Sequence, residues 1–429
     1  MSKTNSLKSH FPFMLVLLLG AWLMMSCDTL DFSNPNSPVV DDVNIQSLVT
    51  GVEASMRIDW AIYLRVVSIH GREAYYLEPA DPRYTGELLN GATDPGGFLT
   101  VRPWTGRYRT IANCRFLLDK NGGAGVDGFA QTIMAYQLLL NLNYMDVNGI
   151  KIDYSGDLSI PVANKAQAFA EINRLLDAGN ANLAAAGAAF PFALSNGFAA
   201  FNTPANFVKF NRAIKARVAV YEGKFQDALT ALGASFLDPA APLSLGAYQI
   251  YGGGLGDQVN EVYENPDAAF VKWMAHPTFQ TQAEVGDQRF ATKVKVRNPA
   301  TTFDNLTSAL AVTITQSSTD PLPIIRNAEL LLLRAEANIG LGQFGTAQTD
   351  ITLVRASAGL PAVTLSAANA LDQLLYEKRY SLFLEGHRWV DLRRYGRLNT
   401  LPTDRSGDVV VAAMPLPETE RSEGGGGGR

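Results

Sequence analysis

Two stretches of this chain repeat one pattern, and the pattern restricts the fold. ARVAVYEGKFQDAL (Ala216 to Leu229) and AEANIGLGQFGTAQ (Ala335 to Gln348) both read A-x(6)-G-x-F-x-x-A. Ala216, Gly223, Phe225 and Ala228 answer to Ala335, Gly342, Phe344 and Ala347. A glycine there permits a tight turn, the aromatic ring fills the space between two helices, and the small alanine lets them approach. This is the chemistry of tetratricopeptide-like helix pairs, which bury apolar faces against their neighbours.

The rest of the chain agrees with a mainly α fold. Helical periodicity is strongest over Ser47 to Val66, Trp104 to Asp119, Phe129 to Met145, Lys165 to Ala185, Phe207 to Tyr221, Phe225 to Leu232, Arg326 to Gly340, Thr346 to Ala356 and Leu371 to Arg394. Two long segments, 71–103 and 233–323, lack that period. The second holds one expected short strand, Ala309 to Thr315, rich in β-branched residues. Long loops are uncommon unless functional or disordered, and these carry aromatics instead of the polar composition of disorder. The expected architecture is one α-rich domain over 47–420, a helix-pair scaffold with long irregular loops and a few short strands.

At the N-terminus, Lys3, Lys8 and His10 precede an apolar run from Phe11 to Met25, broken by Pro12, and then Ser26-Cys27. About fifteen residues are too few for a bilayer span, which needs roughly 20. A basic start with a small residue before the cut is a secretory pattern. Residues 1–26 read as a signal peptide, with Cys27 as the lipidated, palmitate-bearing first residue of a lipoprotein. Residues 27–46, with Pro35 and Pro38, read as an extended tether, and 421–429 as a flexible Gly-rich tail.

A net charge of −5 and an isoelectric point near 5.5 leave no basic face for nucleic acid. Cys27 and Cys114 are the only cysteines, so neither a disulfide framework nor a zinc quartet can form. Cys114 lies in a helical pattern and reads as a buried, inert thiol. His10, His70, His276 and His387 show no paired spacing, so no metal and no cofactor are expected. GAGVDG, 123–128, matches a dinucleotide fingerprint but follows helix, not strand, and reads as a helix-to-helix turn. YGGGLGD, 251–257, lacks the Lys and Ser/Thr of a phosphate loop and reads as a connector.

In YEKRYSLFLEGHRWVDLRRYGRL, Tyr376, Tyr380, Phe383, His387 and Val390 form one helical stripe flanked by Glu377, Arg379, Glu385, Arg388 and Asp391. The pattern E-x-R, then EG-x-R-W-x-DL-x-R-x-G (Glu377, Arg379, Glu385, Gly386, Arg388, Asp391, Arg394), resembles the C-terminal signature of the SusD/RagB family. Lys378 and Ser381 depart from it. Val354 to Leu360 resembles that family's V-R-x-x-A-G-L turn, and VGDQRF its D-x-R element (Asp287, Arg289). WTGRYRTIAN resembles its W-x-x-x-Y-x-x-I helix (Trp104, Tyr108, with Asn113 slightly early), and MPLPETE its P-I-P-x-x-E ending.

The resemblance implies a SusD-like fold and a non-catalytic lipoprotein, lipid-anchored to the outer membrane and exposed at the cell surface. It would bind oligosaccharide or peptide nutrients and deliver them to a partner TonB-dependent, SusC-like barrel transporter. Tyr75, Tyr76 and Tyr84 in the first loop, and Tyr263 and Trp273 in the second, are the candidate ligand-binding rings, since flat rings stack on sugar faces. Arg72, Arg83 and Asp81 could supply polar contacts. Two rival functions remain open: a tetratricopeptide-like protein-binding scaffold, suggested by the internal repeat, and a surface glycan hydrolase, which needs only two well-placed carboxylates.

Overall fold

A computed structural model describes residues 43–421 except Gly156, Leu158 and Gly256. Cys27, the leader, most of the tether and the Gly-rich tail lie outside the described residues. The described residues from Asn44 onward form one compact unit.

The repeat is a pair of helix hairpins. Helices α7 (Pro204–Tyr221) and α8 (Phe225–Gly233) form the first, α11 (Asn327–Gly340) and α12 (Phe344–Ser357) the second. Gly223 and Gly342 both sit at φ +73 in the turns, as the shared glycine requires. The first hairpin docks on the second through the repeat's own phenylalanine. A Cβ on Gly340 would lie 2.2 Å from the Phe225 ring. Gly340→Ala is therefore expected to destabilise by about 1–3 kcal/mol, because overpacking outweighs the ~1 kcal/mol that alanine gains in helix propensity. A denaturant midpoint checks it.

Several expected boundaries moved, each for a local reason. The expected helix from Ser47 to Val66 is two, α1 (Ile45–Ser55) and α2 (Trp60–His70), separated by a turn with Asp59 at φ +53. α1 is capped by Asn44, whose side chain accepts from Ser47 N–H at 2.8 Å. The first loop, 71–103, is more ordered than expected, holding β1 (Ala74–Tyr76) and the short α3 (Glu87–Asn90). Helix α4 (Phe98–Asp119) starts six residues before Trp104 and runs through Pro103. Proline cannot bond the Leu99 carbonyl, and the Tyr144 hydroxyl donates to it instead, at 2.5 Å.

The turn expected at 123–128 is only its first part. α5 (Ala124–Met145) takes in Gly125 and Gly128. A Cβ on Gly128 would lie 2.6 Å from Leu183 Cγ, so its absence lets α5 approach α6 (Lys165–Ala185) closely. The helix expected from Leu371 to Arg394 breaks into α13 (Ala370–Ser381) and α14 (Arg388–Arg394). Leu384 at φ +62 and Gly386 at φ +87 reverse the chain between them. The break is held from outside: Arg326 donates to Glu385 at 2.6 Å, and Leu384 N–H donates to Glu73 at 3.3 Å.

The second loop, 233–323, is also more ordered than its sequence suggests. β2 (Gly246–Gln249) pairs with β6 (Leu322–Arg326), while β1, β3 (Trp273–Ala275), β5 (Leu306–Val312) and β4 (Val294–Phe303) form an antiparallel sheet in that order. Short helices α9 (Thr278–Thr281) and α10 (Gln288–Lys293) complete it. β5 begins three residues before the expected strand and ends three earlier. β4 lacked a strand signature because it is largely exposed and its register shifts between Val296 and Thr301.

Residues 402–414 run as a strap over the N-terminal elements. Arg72 donates to the carbonyls of Pro402 and Val409 at 3.1 and 2.7 Å. Val409 N–H donates to Leu89 at 2.7 Å, Trp389 Nε1 to Val411 at 2.7 Å, and Met414 N–H to Tyr144 at 3.0 Å.

Candidate functional site

The rings proposed for ligand stacking are mostly in the core. Tyr75, Tyr76, Tyr84 and Trp273 are buried, on β1, in the turn Pro82–Tyr84 and on β3. Tyr76 packs edge-on against Tyr84 and Trp273 with centroids 4.7 and 5.9 Å away. Arg65 from α2 lies 4.2 Å over Tyr76. Tyr75 packs on His276 at 5.0 Å. These faces are spent on one another, which corrects the expectation that they face a ligand. Tyr263 is half-buried. Arg83 and Asp81 pair with each other at 2.8 Å, and Arg72 serves the strap.

The signature residues converge on an ionic framework between the hairpins and the sheet. Asp287 holds Arg289 at 2.7 Å, and Arg289 reaches Glu377 at 2.6 Å. Glu377 also binds Arg355, at 2.7 Å. Asp391 accepts from Lys378 and Arg394, at 2.9 and 2.7 Å. Arg379 donates to Thr278 at 2.7 Å, and Arg388 to Gly71 at 3.0 Å. Trp104 packs at a tilt on Tyr108, whose hydroxyl donates to the Lys151 carbonyl, and Asn113 donates to the Gly51 carbonyl.

A concave feature in which charged and polar groups meet an apolar wall lies elsewhere, in two adjoining chambers of about 380 and 360 Å³. Both sizes fall in the range of small-ligand sites, roughly 300–1,000 Å³. Arg57 and Asp257 line both, the end of α1 walls the first, and residues 257–262 wall the second. Arg57 Nη1 donates to the Ile250 carbonyl and to Asp257 Oδ1, each at 2.7 Å. Asp257 is held below the usual carboxylate range by the Gln258 N–H and by Arg57.

In the first chamber Glu53 accepts from the Ser195 hydroxyl at 2.7 Å, and burial pushes its carboxyl upward against those bonds. Met56, Phe198 and Ile324 supply apolar wall, and Leu255 stands fully exposed at the rim. In the second, Arg102 pairs with Asp59 beside Trp60, Tyr251 and Glu261. The arrangement offers paired donors and acceptors around a partly apolar floor. Such a lining suits a hydroxyl-rich molecule.

Sequence reasoning missed Glu53, Arg57 and Ser195, which come from two segments far apart in the chain. Its one available signal was the 251–257 stretch, read as a connector; that stretch supplies Leu255 and Asp257. A Cβ on Gly252 would lie 2.2 Å from Asp257 Oδ2, so a side chain there would displace that carboxylate.

Fold and cleft together define a class: helix-pair scaffolds whose inserted loops and small sheet wall a solvent-open cavity. Residues 303–423 match the SusD family. The fold is shared with a laminarin-binding SusD-like protein, at 17% identity and a TM-score of 0.65, over 88% of this chain and 96% of that one. A SusD superfamily protein from Bacteroides thetaiotaomicron is similar at 16% identity and TM-score 0.66, over 89% and 97%. Surface glycan-binding protein A from Bacteroides uniformis is similar at 16% and 0.61, over 82% and 88%. No curated protein matches the chain by sequence. The C-terminal segment thus matches the SusD family, and the chain as a whole has the SusD-like fold.

Proposed function

We propose that this protein binds an oligosaccharide in the two-chamber cleft without transforming it and passes it to a TonB-dependent barrel transporter. It would do so as an outer-membrane lipoprotein anchored through Cys27. The observation that carries the reading is the SusD-like fold enclosing a cleft of ligand size. The glycan-binding descriptions of two structural relatives support the ligand class. No helix among the described residues is long and apolar enough to cross a membrane, which is consistent with a lipid tether.

Two of the cleft's acids are already engaged: Asp257 is held by Arg57, and Glu53 accepts from the Ser195 N–H and hydroxyl. A glycosidase needs one carboxyl free to donate to the leaving oxygen. Complete recovery of unaltered labelled glycan after incubation supports binding; product release supports the hydrolase.

The direct test is affinity purification from gently solubilised membranes, with mass spectrometry of the N-terminal peptide and of co-purifying proteins. An acylated Cys27 with a barrel protein is expected, and an unmodified chain alone would sink the reading. On a glycan and peptide panel that includes laminarin, Arg57→Ala is expected to weaken the best ligand about tenfold, or ~1.4 kcal/mol. Far-UV circular dichroism should not change.

A protein-binding scaffold has one observation in its favour, an open groove of about 750 Å³ along α6, α7 and α8, lined by Lys165, Phe169, Lys215, Tyr221 and Glu222. Transport of every nutrient intact in Arg57→Ala cells would favour it.

A further inference from the structure

We propose that Arg107, which lines neither chamber of the cleft, is the positioning residue that sets the cleft's shape by holding the turn that carries Arg57. That turn, between α1 and α2, walls both chambers. Met56 and Arg57 line the first, and Arg57, Ile58, Asp59, Trp60 and Ala61 line the second. Helix bonding uses only part of its backbone. The Arg57 carbonyl accepts from Trp60 N–H at 3.2 Å, and the Asp59 carbonyl from Tyr63 N–H at 3.0 Å. The carbonyls of Met56 and Ile58, on either side of Arg57, are taken by Arg107 instead. Its Nη1 donates to the Met56 oxygen at 3.0 Å, and its Nη2 donates to the Ile58 oxygen.

Arg107 is fully buried on α4 and bonds no carboxylate. Its guanidinium lies 5.4 Å from the centroid of the Trp60 ring, a wall of the second chamber. A buried guanidinium with neutral partners is a poor source of stability, whereas a planar fork of fixed geometry sets two carbonyls at once. The neighbouring residue on α4 serves the same contact. A Cβ on Gly106 would lie 3.0 Å from the Ile58 oxygen, so the glycine brings α4 close to the turn.

The consequence falls on Arg57. Arg107 holds the peptide before it, Trp60 N–H the peptide after it, and Arg107 again the one beyond. The Arg57 side chain therefore leaves a fixed backbone toward the Ile250 carbonyl and Asp257, each at 2.7 Å. A ligand meets these groups already set and orders less of the protein on binding.

Arg107 matters to binding only if the cleft is the ligand site proposed above, so two readouts are kept apart. Hydrogen exchange of the purified mature protein reads the turn with no ligand present. A lysine ammonium cannot span two carbonyls as the fork does, so Arg107→Lys should speed exchange across 56–61 about tenfold while α11 and α12 stay unchanged. Unchanged exchange there overturns the proposal. Calorimetry then uses whichever of laminarin, maltoheptaose and a xyloglucan oligosaccharide binds tightest. Arg107→Lys should weaken it about fivefold alone and no further beside Arg57→Ala, so the double variant loses about tenfold, not about fiftyfold. Losses that multiply would show that Arg107 does not act through Arg57, and would also overturn it. If none of the three binds, the glycan reading fails, and the exchange result alone decides whether Arg107 sets the turn. Should Arg107→Lys fold poorly, Gly106→Ala takes its place, since alanine suits a helix and leaves the fork intact. It should give a smaller loss with the same dependence on Arg57.

Discussion

Glu377→Gln is expected to cost about 3–5 kcal/mol, the usual penalty for removing one partner of a buried charge pair. Glu377 is fully buried, and its two oxygens receive Arg289 Nη1 at 2.6 Å and Arg355 Nη1 at 2.7 Å. Gln373 adds a third donor at 2.8 Å. Asp287 and Glu284 occupy the outer sides of the two arginines, so neither can move in to replace the lost charge. The glutamine would also turn an amide donor toward one of the guanidiniums. A shifted urea midpoint with an unchanged m-value is the expected readout. Asp267→Asn is the control: it breaks the Lys295 pair, which is exposed on both sides, and should leave the midpoint within error. Equal effects would mean that the framework contributes no more than a surface pair.

The second large effect is the dependence of stability on pH, and Glu73 opposes its neighbours. Burial raises Glu73 from 4.5 to about 7, beyond what the nearby cations recover. The unfolded chain therefore releases this proton first as pH rises. Stability from this site is complete below about 4.5 and is lost up to about 7. Glu73→Gln removes that loss and should raise stability at pH 8 by up to about 3 kcal/mol relative to wild type, with little difference at pH 4.

Asp391 runs the other way. Burial would raise it, but Lys378 and Arg394 overcome this and hold it at about 2. Glu329 is likewise held down by Arg217 despite burial. Their contribution is present above the unfolded carboxylate range near 4 and is lost as pH falls toward 2. Urea midpoints should therefore fall below pH 4 in both proteins, and the Glu73→Gln midpoint should rise progressively above that of the wild type from about pH 4.5 to 7, on top of the dependence both share through buried, neutral His70. A Glu73→Gln curve that parallels the wild type throughout would refute the assignment.

The helices were legible because a period of 3.6 is a local signal, and the repeat was legible because Gly223 and Gly342 solve the same turn. Helix breaks were not. Nothing between Tyr376 and Leu398 announces that Leu384 turns left-handed, since Arg326 and Glu73 enforce it from distant segments. The aromatic loops misled for a related reason. Composition shows that rings are present in 71–103 and 233–323, but not that β1 and β3 pair and draw Tyr75, Tyr76 and Trp273 inward. The cleft was almost invisible, because Glu53, Arg57, Ser195 and Asp257 share no sequence pattern and meet only through tertiary packing.

The strap over 402–414 sets an order of events in the life of the chain. A polypeptide is made from its N-terminus, and its early segments fold first when they can. Here Arg72, Leu89 and Tyr144 wait for partners at Val409 and Met414 that are synthesised long after them. The N-terminal elements therefore have buried polar groups to satisfy until Val409 and Met414 have been made. A chain held unfolded until it is whole loses nothing by waiting, whereas one interrupted before Val409 cannot close.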